Sequence, residues 1–272
     1  MALAVAASMK STTNPSADVD PVVNMARQAM YRFAALSFLD PQLGSWDRLN
    51  ALRDNPLLLG GAALIRSLPK ARPLEFGLGE SPIEMLDPLL VLQRLPDSEL
   101  ALNTQYENTF GLLVSSNCPP YETEYINSKF AFQRSNSLAD ISGFYQAFGL
   151  TPSDGHHERP DHVVLELEFM ASLLGLERHA ADWDSERRKD RQQICRDAQA
   201  RFLQEHLAWW VPAFVKLLGQ VNQQAFYAAS GVFLAALIPT ERAFLRVPPA
   251  SQPVGPTTVE RPEHCEGCEL AG

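Results

Sequence analysis

Residues 156–170 read HHERPDHVVLELEFM and gather His156, His157, Glu158, Asp161, His162, Glu166 and Glu168 into one short stretch. Imidazoles and carboxylates at this density can hold a divalent cation or pass protons. A helical zinc-hydrolase site needs two histidines four residues apart on one face, with a glutamate beside the first. Here the residue four beyond His162 is Glu166, and His156 and His157 are neighbours in a polar connector, so that pattern is not met. A metal-binding protein or enzyme using His156, His157, His162 and Glu166 remains one alternative. The tail offers another: Cys265 and Cys268 form a Cys-x-x-Cys beside His264. That is half of a zinc or iron–sulfur arrangement, to be completed by Cys118, Cys195 or a second chain. A plainer reading of 156–170 is a helix start with a solvated polar turn. Pro160 then sits in the first turn, and Glu158 and Asp161 face the positive end of the helix dipole. Val163, Leu167, Met170 and Leu174 make a buried stripe, and His162, Glu166 and Phe169 project from another side.

A second stretch, YENTFGLLVSSNCPPYETEYI at 106–126, pairs aromatics with acids. Tyr106 and Phe110 are four apart and share a helix side. Pro120 and Tyr121 restart order after a loop, flanked by Glu122 and Glu124. Such a set suits either core packing or a peptide groove, because aromatics dominate grooves of that kind. No phosphate-loop, dinucleotide or serine-hydrolase motif occurs, and GLGES at 77–81 follows no strand, so no cofactor is expected.

The elements that must position these residues read as helices. Apolar residues recur at three- and four-residue steps from Val22 to Leu36, with Asp20 as N-cap and Pro21 in the first turn. Further helices are expected at 43–53, 56–68, from Ser81-Pro82, 97–113, 133–148, 160–183, 186–218 and 222–238, with Pro212 a candidate kink beside the core residues Trp209 and Trp210. After Pro239 the chain should become irregular. The fold class is therefore all-α. A disordered lead-in is expected over 1–20, one helical lobe over 21–149, a polar connector at 150–160 opening a second lobe to 240, and an irregular proline-rich tail over 241–272.

Totals narrow the function. Hydrophobic residues are 46% of the chain and charged residues 20%, as in a globular core. A net charge of -9 argues against nucleic-acid binding and favours a basic partner. The cysteine content is too low for a secreted disulfide scaffold. The apolar start MALAVAA lacks a preceding basic segment, and no uninterrupted apolar run reaches membrane-spanning length, so a protein of a reducing, soluble compartment is expected.

ERPDH, Glu158 to His162, opens a helix and follows an aromatic-x-x-x-Phe helix and a Pro-aromatic pair. Together these resemble the TorD/DmsD/NarJ family of molybdoenzyme maturation chaperones, over about residues 21–240. Thr109 stands where the family motif has leucine, and Tyr121 where it has tryptophan. CPPYETEY is similar to chaperones serving respiratory enzymes of the dimethyl-sulfoxide-reductase superfamily. The resemblance implies a two-lobed, all-helical, non-enzymatic cytoplasmic chaperone. It implies binding of a client's twin-arginine leader, or of the apo-enzyme, until cofactor insertion, as a monomer or a domain-swapped dimer. Candidate carboxylates for the leader's arginines are Glu122, Glu124, Glu158 and Asp161. Tyr106, Phe110, Pro120 and Tyr121 are candidate groove walls, and Pro160 and His162 shape the connector. On this reading Asp161→Ala or His162→Ala weakens partner binding and leaves helical content intact.

Overall fold

The computed structural model describes residues 20–111, 118–126, 131–151, 158–180, 185–221 and 226–250. His156, His157, Cys265, Cys268 and the expected lead-in over 1–19 lie outside them. The described residues are helical, with a single antiparallel bridge, Tyr121 to His162, and no extended strand.

Three of the α-helices start where an Asx side chain precedes proline. Asp20 accepts from Val22 N at 2.9 Å and opens α1 (Pro21–Phe38). Asn55 accepts from Leu57 N and Leu58 N, both at 3.0 Å, and opens α3 (Pro56–Ser67). Asp87 caps α4 (Pro88–Leu92) in the same way. The Asx oxygen satisfies an orphan N–H, and proline at the first helical position has none to lose. Asp40-Pro41 ends α1 and also caps a 3-10 turn at Pro41–Leu43, followed by α2 (Ser45–Asn50). α5 (Glu99–Phe110) is capped by Ser98, and α6 (Ala131–Ala147) follows the 3-10 turn at Glu122–Tyr125.

Four expectations are corrected. The helix expected from 160 begins at Val163, because Tyr121 and His162 pair as extended backbone before α7 (Val163–His179) can start. The helix start expected at Ser81-Pro82 is a 3-10 turn at Ile83–Met85. The helix expected over 186–218 is α8 (Ser185–Phe202), a π-helical segment at Leu203–Leu207, and α9 (Ala208–Val221). Finally, Pro239 does not stop the chain: α10 runs from Phe226 to Leu245. Proline at 239 leaves the Ala235 carbonyl without its helical donor, and Ser81 N supplies one from outside at 2.9 Å. The same loop is fixed by Arg242 on Glu80 (Nε to Oε1, 2.7 Å) and by Gly79, whose φ of 81° leaves room only for hydrogen against the Pro212 carbonyl.

α1 is the central helix and packs on α3, α7 and α10, while α8 and α9 cover α7 and α10. Met30, Tyr31, Leu167, Met170, Leu174, Trp210 and Phe233 belong to one core. α10 is long and apolar enough to cross a bilayer, and most of it is buried in this core. Through the core runs a closed polar network. Arg27 meets Glu241 through Nε and Nη2 at 2.8 and 2.7 Å and also donates to Gln199. Glu177 accepts from Asn24, Gln199 and Arg196 at 2.8, 2.9 and 2.6 Å.

Candidate binding cavity

The two chemically suggestive stretches meet through backbone. Glu122 N donates to Asp161 O, and Val163 N donates to Pro120 O, both at 2.9 Å. This brings Tyr121 against His162, ring centroids 5.0 Å apart and edge-on. His162 is also the N-cap of α7, its Nδ1 accepting from Val164 N at 3.2 Å.

Around this junction lies a cavity of about 310 Å³, lined by Asp40, Gln42, Asn103, Tyr106, Glu107, Phe110, Gly111, Pro120, Tyr121, Glu158 and His162. The acids Asp40, Glu107 and Glu158 line it, with no lysine or arginine among the described lining residues. Tyr121 Oη donates to Glu158 at 2.6 Å, and Asn103 donates to Glu107 at 2.8 Å. Burial, with Asp40 and Glu158 nearby, raises the Tyr106 phenol. Burial and the Glu158 hydrogen bond do the same for Tyr121. Both phenols therefore remain neutral donors, and the cavity presents carboxylate charge between aromatic faces.

Of the residues singled out in the sequence, Tyr106, Phe110, Pro120, Tyr121, Glu158 and His162 line this space. Asp161, Glu122, Glu124 and Pro160 do not. Asp161 is wholly buried, contrary to a solvated turn. It accepts from Thr123 N and Oγ1 (3.0 and 2.7 Å) and from Arg159 Nε and Nη2 (3.0 and 2.6 Å). Arg159 also reaches Glu124 at 3.0 Å and lies over the Tyr121 ring, 4.5 Å from its centroid. Pro160 O accepts from Tyr145 Oη at 2.8 Å. Glu122 is buried against His206, 3.0 Å from Nδ1.

Glu166 is also buried rather than solvated, accepting from Trp210 Nε1 at 3.1 Å. Burial, then the neighbouring Glu122 and Asp161 charges, holds its carboxyl well above the usual carboxylate range. Glu166 lines neither the cavity nor the adjoining cleft that His162 lines. Burial pushes the Cys118 thiol up to about 12 and the Cys195 thiol up to about 11, which keeps both from acting as ready thiolate ligands.

Asp40, Gln42, Asn103 and Glu107 are cavity residues that sequence reasoning missed. Asp40 read as a helix stop, and its side chain does cap the following turn. Asn103 and Glu107 fall on the same helix side as Tyr106, the only local signal available.

A cleft lined by Leu39, Leu43, Val164 and Leu165 shares Asp40, Tyr106, Glu158 and His162 with the cavity. One turn further along α1 and α7, Leu36 and Glu168 join a groove of about 940 Å³ between α1, α2 and α3. Its walls are mainly apolar and include the exposed Val22, Met25 and Leu57.

The family model described as "Nitrate reductase delta subunit" matches residues 80–216, a span that includes α5, the bridge and α7. A selenate reductase assembly chaperone protein from Thauera selenatis is 31% identical over 207 residues, covering 72% of this chain and 94% of the relative. A chlorate reductase assembly chaperone protein from Ideonella dechloratans is 37% identical over 112 residues, covering 41% of this chain and 54% of the relative. The chaperone protein TorD of Photobacterium profundum is 24% identical over 176 residues, covering 62% of this chain and 78% of the relative. The chain belongs to the nitrate reductase delta subunit family, to which the resemblance read from ERPDH points. No solved structure matches it.

Proposed function

We propose that this protein is an assembly chaperone for the catalytic subunit of a molybdoenzyme of the dimethyl-sulfoxide-reductase superfamily, and that it is a binding protein rather than an enzyme. Its relatives are named assembly chaperones of selenate and chlorate reductases, which supports an oxyanion reductase as client. The observation that carries the residue-level reading is the cavity with Asp40, Glu107 and Glu158 on its wall and no lysine or arginine among the described lining residues. Carboxylates beside aromatic faces suit guanidinium groups, which accept bidentate pairing and stack on rings. A twin-arginine leader carries its arginines before an apolar run. The order of acidic cavity, cleft and apolar groove along α1 and α7 supports binding in that sequence, with the apolar part taken by the groove.

Other parts of the reading belong to the same proposal. The chaperone acts in the cytoplasm, before export. Its two lobes, 21–149 and 150–240, meet through the connector at 150–160, and it works as a monomer or as a dimer that exchanges a lobe across that connector.

The test is calorimetric titration with a peptide carrying paired arginines ahead of an apolar run, beside the same peptide with paired lysines. Binding about tenfold weaker for the lysine peptide is expected, because the planar fork is lost. Equal binding of both peptides, unaffected by Asp40→Asn or Glu158→Gln, would sink the assignment of this cavity.

A further inference from the structure

On the far side of the bridge stands a group that neither the cavity nor the core network uses. His206 lies within the π-helical segment Leu203–Leu207 and is only 3% exposed, packed against the Phe144 and Phe202 rings. Its Nδ1 is 3.0 Å from one Glu122 oxygen and 3.3 Å from the other. Its Nε2 is buried and makes no hydrogen bond, with Asp140 Oδ2 at 3.4 Å. Donor atoms of Asp140, Glu205 and His206 all lie within 4.8 Å of one another.

We propose that His206, Asp140 and Glu205 bind a divalent transition cation of the zinc type. The first argument is the orientation of the ring. In the tautomer that carries its proton on Nδ1, the ring donates to Glu122 and leaves the Nε2 lone pair facing outward. A carboxylate behind a ligating imidazole is the usual partner of a metal-bound histidine, because it orients the ring and raises its basicity. The second argument is what Nε2 faces. In that tautomer a lone pair pointed at two carboxylates is repulsive, and a cation between them attracts all three donors and outweighs the repulsion that remains among them. One imidazole nitrogen and two carboxylate oxygens are donors that zinc accepts, and with three protein ligands a fourth position stays open.

The carboxylates must draw closer, since ligand atoms around a tetrahedral zinc stand about 3.3 Å apart at bond lengths of about 2.0–2.1 Å. Both side chains have room to do so, being about half exposed at Asp140 and 41% exposed at Glu205. One neighbour competes. Arg201 Nε donates to both Glu205 oxygens, at 3.0 and 2.9 Å, and holds that carboxylate while no metal is bound. A bound ion would tie α6 to the α8–α9 junction and, through Glu122, to the segment carrying Tyr121.

The experiment is zinc titration of the full chain by calorimetry, repeated with cobalt to read its ligand-field absorption. Cys265→Ser/Cys268→Ser protein is the parent, so that the tail cannot supply the site. The expected result is one ion per chain in the parent. Asp140→Asn and Glu205→Gln should each weaken binding at least tenfold with unchanged circular dichroism, and Glu122→Gln about tenfold. Arg201→Ala should tighten it by releasing Glu205. His206→Gln should abolish it, and the two exposed carboxylate variants keep the test decisive if that buried substitution unfolds the protein. Absence of binding in the parent overturns the proposal. So does binding that Asp140→Asn and Glu205→Gln leave unchanged.

Discussion

Two charged regions of this molecule are built on opposite plans. In the network between α1, α7, α8 and α10, every charge meets its opposite. Arg27 forks onto Glu241, Arg196 reaches Glu177, and Gln199 and Asn24 fill remaining positions. At the mouth of the bridge, Asp40, Glu107 and Glu158 line a cavity with no lysine or arginine among its described walls. Burying a charge is tolerable only when it is paired and hydrogen-bonded, so the first region is closed by necessity. The second keeps its acids at an opening, where water or a basic ligand can serve them. A matched set holds helices together, whereas an unmatched set at an opening supports the proposal that a basic ligand binds there. Arg159 marks the boundary: it neutralises Asp161 and Glu124 behind the cavity and leaves Glu158 uncompensated in front.

Substitutions that break the contrast should rank accordingly. Glu241→Ala strands the Arg27 guanidinium in the core and should cost about 3–5 kcal/mol in urea unfolding. Asp161→Ala removes the acceptor of four hydrogen bonds. Because Arg159 is partly exposed and water can rescue it, a loss of about 2–4 kcal/mol is expected there, with any binding defect following from the fold. A stable Asp161→Ala protein that fails only in peptide binding would move Asp161 from the closed set to the open one.

At the cavity the signature should invert. Glu158→Gln keeps an acceptor for Tyr121 and removes only charge. Stability should change by less than about 0.5 kcal/mol, while affinity for the paired-arginine peptide falls about tenfold, as titration would reveal.

The smallest effect concerns pH. The Glu166 carboxyl is raised above its unfolded value, so the folded state holds its proton longer than the unfolded state does. Its contribution is present below the unfolded carboxylate range and lost as pH rises toward the folded value. Glu166→Gln should therefore stabilise the protein by about 1 kcal/mol at pH 8 and have almost no effect at pH 4, as paired thermal melts would show. An equal shift at both values would mean that the effect is packing rather than protonation.

Much of the architecture is legible along the chain. Asx-Pro pairs at 20–21 and 55–56 announce helix starts because the cap and the ring act within one turn. The buried stripe of Val163, Leu167, Met170 and Leu174 follows from the helical period. Pro239 misleads because its compensation comes from Ser81, far away in sequence. The stretch at 156–170 misleads similarly. Counting acids cannot tell that Asp161 and Glu166 are sealed while Glu158 lines an opening, since burial depends on which distant helix lies across each side chain.

The sequence by itself determined the all-helical class, the main punctuation and the family, because caps, periodicity and the ERPDH and aromatic motifs are local. Tertiary structure alone decided which carboxylates are paired in the interior and which line an opening. Long-range partners set that division: Thr123 and Arg159 for Asp161, Trp210 for Glu166, His206 for Glu122. A charge's role depends on the dielectric and the counter-charge around it, and only the folded chain supplies either.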